Sequence, residues 1–166
     1  MAGDQRIVDF PGHHRLRGPL GAELKRATAI LFVFDASNAA ATAKAAAEVL
    51  FAARRGVGPF LGARRGAPQV LTGGREVPVL VLCNKSDVPG AKAPARVKLI
   101  LAAELETLRK TAGAIGAIDG DDAPRATLET GGRHFNFDTH SPCPISFLAF
   151  SRAADLAPVT EFLAGK

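Results

Sequence analysis

Three short stretches of this 166-residue chain carry side chains whose types and order suit phosphate and purine chemistry. In Asp9-Phe-Pro-Gly-His13, a carboxylate at a strand end can hold Mg²⁺ through a water. The glycine, Gly12, lets its backbone N–H approach a γ-phosphate that any Cβ would obstruct. The next side chain, His13, then faces the attacking water. Alone, D-x-P-G is more often an ordinary strand and turn. In Asn84-Lys-Ser-Asp87, the Asp87 carboxylate can accept two hydrogen bonds from N1–H and the exocyclic amino group of guanine, a donor pair that adenine lacks. Asn84 would brace the loop and reach N7, and the aliphatic stem of Lys85 can lie along the purine face. A plain polar turn is the competing reading, but the apolar strand directly ahead favours the guanine one. In guanine-binding domains a Ser-Ala-Lys-like turn offers a backbone N–H to the guanine O6. Ser151-Arg-Ala153 falls in the corresponding place, with Ser151 ordering the loop and Arg152 donating the bond.

The remaining candidates carry less. Asp35 ends an apolar run and is expected to be structural rather than metal-binding, and His14, His134 and His140 have no ligand spacing. No Ser-His-Asp arrangement or G-x-S-x-G turn is present. Two cysteines, Cys83 and Cys143, are too few for a disulfide framework and fit no metal spacing, which points to a reducing compartment. The formal charge of +5 permits contact with RNA or an anionic membrane face. The basic residues are scattered, however, and without Trp or Tyr no stacking platforms interleave with them. The longest apolar runs are strand-length, so the chain as given is expected to be soluble.

The elements that must position these turns alternate between strand and helix, the pattern of an α/β domain with a mostly parallel sheet and flanking helices. Strands are expected at Arg6–Asp9, Ala29–Asp35, Val77–Cys83 and Pro144–Phe150, the second of them central in the sheet. Helices are expected around Leu20–Arg26, over Ala39–Arg55 where alanines dominate, over Ala93–Thr111, and over Asp155–Ala164. In the third of these, Val97, Ile100, Leu101, Leu105 and Leu108 form one apolar stripe at three- and four-residue spacing. The glycine-rich segments at about 56–76 and 112–132 read as flexible loops. In an open parallel sheet, ligands gather at the carboxyl ends of the strands, and all three chemical stretches fall at such ends.

Taken in order, these motifs resemble the beta-subunit family of the signal recognition particle receptor, within the Arf-like and Ras-like small GTPases. Val8-Asp-Phe-Pro-Gly-His-His-Arg-Leu-Arg17 is similar to its D-L-P-G-H-x-x-L-R turn, and Ala29-Ile-Leu-Phe-Val-Phe-Asp-Ala-Ser37 to its next strand. Asn84-Lys-Ser-Asp87, the E-L-x-x-L-R-like Glu104–Arg109, and Phe135-Asn-Phe137 ahead of Phe147–Ser151 complete the likeness over nearly the whole chain. In GTPases of this type, Gln or His holds the place of His13. Arf-like GTPases share the nucleotide motifs but generally lack the E-L-x-x-L-R helix followed by a long loop and F-x-F. Translation-factor GTPases usually place the guanine motif closer to D-x-P-G-H.

The departure from the family is the phosphate loop, since no G-x-x-x-x-G-K-[ST] occurs. That loop supplies the N–H cradle, the lysine on the β/γ-phosphates and the Ser/Thr on Mg²⁺. Residues 1–166 are therefore expected to be the carboxyl-terminal portion of an incomplete small-GTPase-like domain, missing the first strand and phosphate loop and inactive alone. The resemblance implies GTP and Mg²⁺ for a complete domain only, with Asp9 on the metal through water. It also implies a slow regulatory GTPase at the cytoplasmic face of the endoplasmic reticulum membrane, acting in cotranslational targeting. The implied partner is the receptor alpha subunit, with the ribosome and the signal recognition particle engaged indirectly and the membrane reached through an anchor not present in this chain. The alternatives are a nucleotide-independent module that binds the alpha subunit, and an Arf-like trafficking GTPase.

Overall fold

The computed structural model describes residues 6–11, 23–24, 26–51, 77–118, 130–141 and 143–165. Three strands, β1 (Ile30–Asp35), β2 (Val79–Asn84) and β3 (Ile145–Ala149), form a parallel sheet in the order β1-β2-β3. Parallel neighbours need crossovers, and helices supply them. Helix α1 (Ala39–Phe51) lies between β1 and β2 in sequence, and α2 (Pro94–Ile118) and the one-turn α3 (Phe137–His140) lie between β2 and β3. Helix α4 (Ala157–Leu163) follows β3.

Strand β2 is the axis of the molecule. Its apolar run Val79-Leu-Val-Leu-Cys83 is buried throughout because both edges are paired and both faces are covered. Val79, Val81 and Cys83 point to one face, where α1 and α2 pack, while Leu80 and Leu82 point to the other, beneath Val159, Phe162 and Leu163 of α4. On α1, Ala39, Ala43, Ala47 and Leu50 repeat at helical spacing, and their small side chains let the helix lie close against α2 and the sheet. Pro94, the first residue of α2, suits a helix start because its missing N–H would have had no intrahelical partner there. The expected stripe on α2 is present: Val97, Leu101 and Leu105 are fully buried, and Ile100 and Leu108 pack against the same core.

Several expectations are corrected. Strand β1 is an edge of the sheet among the described residues, not a central strand, and Val33 on it is 62% exposed. An all-apolar run signals burial without saying which edges are paired. Arg6–Asp9 forms no strand, and Ile7 is 77% exposed. A strand exists only with a ladder partner for its N–H and C=O groups, and among the described residues nothing pairs with that segment or with the free edge of β1. Helix α2 continues to Ile118, seven residues into what read as a loop; Ala, Gly and Ile without clear periodicity do not forbid continuation of an established helix. Of the expected helix around Leu20–Arg26, Glu23 and Leu24 are helical, and 20–22 and 25 lie outside the described residues, as do 52–55 of the expected helix Ala39–Arg55. So do 56–76 and 119–129 of the two expected loops.

A polar clamp ties α2 to the segment ahead of α3. Glu106 accepts from Arg109 Nε at 2.9 Å and Nη2 at 2.6 Å, and from the Phe135 N–H at 3.1 Å. Gly131 and Gly132, both at positive φ, turn the chain into this contact. Phe135 and Phe137 then meet edge to face with centroids 5.0 Å apart, and Phe137 meets Phe147 of β3 at 5.3 Å.

Two outcomes follow from this packing. Leu101→Ala or Leu105→Ala is expected to lower unfolding free energy by about 2–5 kcal/mol, read from denaturant midpoints at unchanged slope. Arg109 and the Phe135 N–H hold the Glu106 carboxyl well below its ordinary value of 4.5, at about 2. A depressed carboxyl contributes stability above its unfolded pKa and loses it as pH falls, here from about 4.5 towards about 2. Wild type should therefore lose stability more steeply than Glu106→Gln over that interval in pH-dependent urea unfolding.

Candidate guanine-binding rim

The carboxyl ends of the three strands lie side by side. Asp35, last in β1, is in register with Asn84, last in β2, which at parallel-sheet spacing puts their backbones about 4.8 Å apart. On the other side the ladder runs past the end of β3. Phe150 donates its N–H to the Cys83 carbonyl at 3.0 Å, and the Phe150 carbonyl accepts from the Ser86 N–H at 3.0 Å and from Ser86 Oγ at 2.8 Å. Ser86 thus binds the Asn84–Asp87 turn to the residue immediately before Ser151. Lys92 closes the rim by donating its N–H to the Ala36 carbonyl at 2.9 Å.

Within the turn, Asn84 Oδ1 accepts the Lys85 N–H at 2.9 Å, so the asparagine braces its own loop. Lys85 is the only non-glycine residue at positive φ among those described, at 60°. That region is uncommon for a side chain without an Asn-like local hydrogen bond, and such strain persists where its surroundings impose it. The Val88 N–H returns to the Lys85 carbonyl at 3.1 Å, and Asp87 sits exposed between them. Among the described residues nothing bonds to the Asp87 carboxylate, so both its oxygens are available to a ligand. Across the rim, the Ala154 N–H donates to the Ser151 carbonyl at 3.0 Å, closing a turn over Arg152 and Ala153. The Arg152 N–H, the donor expected for guanine O6, has no hydrogen-bond partner among the described residues.

Asn84, Lys85 and Asp87 are therefore brought together with Ser151 and Arg152. Asp9 is not brought to them by any contact among the described residues: it is exposed, in a segment without regular structure. Gly12 and His13 lie outside the described residues.

Two rim residues carry more than the sequence reading assigned. Asp35, expected to be merely structural, receives Lys85 Nζ on Oδ2 at 2.6 Å, and Ser37 N–H and Ser37 Oγ on Oδ1 at 3.0 and 2.6 Å. The Lys85 and Ser37 hydrogen bonds lower its carboxyl to about 2. Its position ending the strand beside Asn84 was the available signal. The sequence reading gives Ser86 no role, because its bonds to Phe150 join the ends of two strands that no local pattern pairs.

A parallel sheet with helices on both faces and these turns along its carboxyl rim make a GTPase-like α/β domain, and comparison with known proteins narrows the class. A family model described as signal recognition particle receptor beta subunit matches residues 69–141. The curated beta subunit from Homo sapiens is 30% identical over 95% of this chain and 57% of its own length; that from Mus musculus is 29% identical with the same coverage. The Dictyostelium discoideum subunit is 27% identical over 85% of this chain and 44% of its own. The chain thus spans about half the length of the curated relatives it matches. Its fold superimposes on the mammalian SRP receptor with a TM-score of 0.64 at 27% identity, covering 93% of this chain and 70% of that one. It also superimposes on the Chaetomium thermophilum receptor subunit SRb-GDP-Mg at 0.64, with 18% identity, covering 95% and 78%. In sequence and in fold the chain is similar to the signal recognition particle receptor beta subunits.

The wall behind the rim yields its own check. Burial pushes the Cys83 thiol up to about 11, and no part of the residue is exposed. Iodoacetamide at pH 8 should leave Cys83 unmodified in the native protein and label it once urea unfolds the chain, as read by peptide mass spectrometry.

Proposed function

We propose that this chain supplies the guanine-recognising part of a GTP-binding regulatory subunit of the signal recognition particle receptor, acting in cotranslational targeting at the cytoplasmic face of the endoplasmic reticulum membrane. The observation that carries the reading is the Ser86 to Phe150 junction, which joins the Asn84–Asp87 turn to the Ser151–Arg152 turn. On this reading Asp87 accepts from guanine N1–H and the exocyclic amino group, the Arg152 N–H donates to O6, Asn84 braces the loop and Lys85 lines the purine face. The receptor alpha subunit is the proposed direct partner, with ribosome and signal recognition particle engaged through it.

The fit to a nucleotide is uneven. The base side fits, with an unengaged carboxylate and an unengaged N–H among the described residues. The phosphate side does not: the sequence holds no G-x-x-x-x-G-K-[ST], and no three His, Cys, Asp or Glu side chains among the described residues form a group able to hold a metal ion. Asp9, Gly12 and His13 are proposed for that side on sequence alone. The second reading is a module that binds the alpha subunit without nucleotide.

The full-length gene product separates the two. Competition against a fluorescent GTP analogue should show guanine over adenine selectivity, and Asp87→Asn should move preference from GTP towards xanthosine triphosphate by at least about tenfold. Binding of the alpha subunit with no nucleotide selectivity in either form would leave the interaction module.

A further inference from the structure

The Lys85 side chain is fixed at both ends. Its backbone is held at positive φ by Asn84 Oδ1, and its ammonium is held by Asp35 Oδ2 at 2.6 Å, from the neighbouring strand. The side chain consequently spans the rim between the ends of β2 and β1. The two oxygens of Asp35 divide the work: Oδ1 takes Ser37 N–H and Ser37 Oγ, which cap the 3-10 turn Ala36–Asn38 and orient the carboxylate, and Oδ2 takes the lysine. The pair does little for stability, because the lysine side chain is 54% exposed and water screens such pairs while ordering the chain costs rotamer entropy. Its geometry suits binding better. A purine lying on a lysine stem is held more tightly if the stem is ordered beforehand.

We propose that Asp35 is a positioning residue for the nucleotide base: it anchors the Lys85 ammonium so that the lysine stem stands ready as one wall of the guanine site. This rests on the guanine reading above. Asp35 touches no base itself and acts through Lys85.

The test uses the full-length protein and the dissociation rate of a fluorescent guanine nucleotide. Asp35→Asn keeps an oxygen for Ser37 but turns an amide donor towards the lysine, and Lys85→Met keeps an unbranched stem without the ammonium. Each should speed dissociation about three- to tenfold, and the double variant should be no faster than either single one, since both remove the same anchor. Thermal midpoints of Asp35→Asn and wild type should agree within a few degrees. Wild-type selectivity for guanine with unchanged dissociation from Asp35→Asn, or single effects that multiply in the double variant, would overturn the proposal while sparing the guanine reading. Wild type that binds guanine and adenine nucleotides alike would overturn both.

Discussion

The double pairing of β2 is the constraint on which the rest of the molecule depends. Buried on both faces and hydrogen-bonded at both edges, this strand fixes where the chain must leave the sheet. The departure points of β1, β2 and β3 then share one rim because the strands are parallel and in register. The ladder does not stop at the last strand residue: Phe150 and Ser86 extend it by two further bonds, carrying the order of the core into the turns. Turns usually owe their shape to their own residues, but here the sheet sets the separation between two of them.

The rim is correspondingly a mixture of rigid and available groups. Asn84, Ser86 and Ser151 spend their backbone or side-chain groups on holding the loops, whereas among the described residues the Asp87 carboxylate and the Arg152 N–H are unengaged. A binding site needs both, since a ligand gains most from partners already oriented and not already satisfied. The ion pair of Lys85 and Asp35 belongs with the rigid group, and its partial exposure makes it a poor source of stability.

The second organising contact lies at the far side of α2. Glu106 gathers Arg109 and the Phe135 N–H, and Phe135 and Phe137 carry that anchoring to Phe147 on β3. The E-L-x-x-L-R stretch is thereby accounted for by packing: Leu105 is fully buried, Leu108 lies against the core, and Arg109 serves the adjacent Glu106 rather than Glu104. Its link to the rim is mechanical, through the strand that delivers Ser151.

Much of this was legible in the residues themselves. Val77–Cys83 is apolar at every position and reads as a buried strand; Val97, Leu101 and Leu105 recur at helical spacing; and the polar stretch Asn84–Asp87 comes at the end of that strand without a gap, so local chemistry marked the parallel α/β class, three of the four expected strands and the place of the turn. Pairing is different, because a ladder is a relation between distant segments and leaves no mark in either one. Hence, among the described residues, the apolar run Ala29–Asp35 reads as central yet has a free edge and Arg6–Asp9 has strand composition but no ladder partner, while Asp35 reads as merely structural until the register sets it beside Asn84 with Lys85 reaching across. Tertiary structure alone decided which turns meet, since Ser86 and Phe150, 64 positions apart, are joined by hydrogen bonds that neither segment can specify.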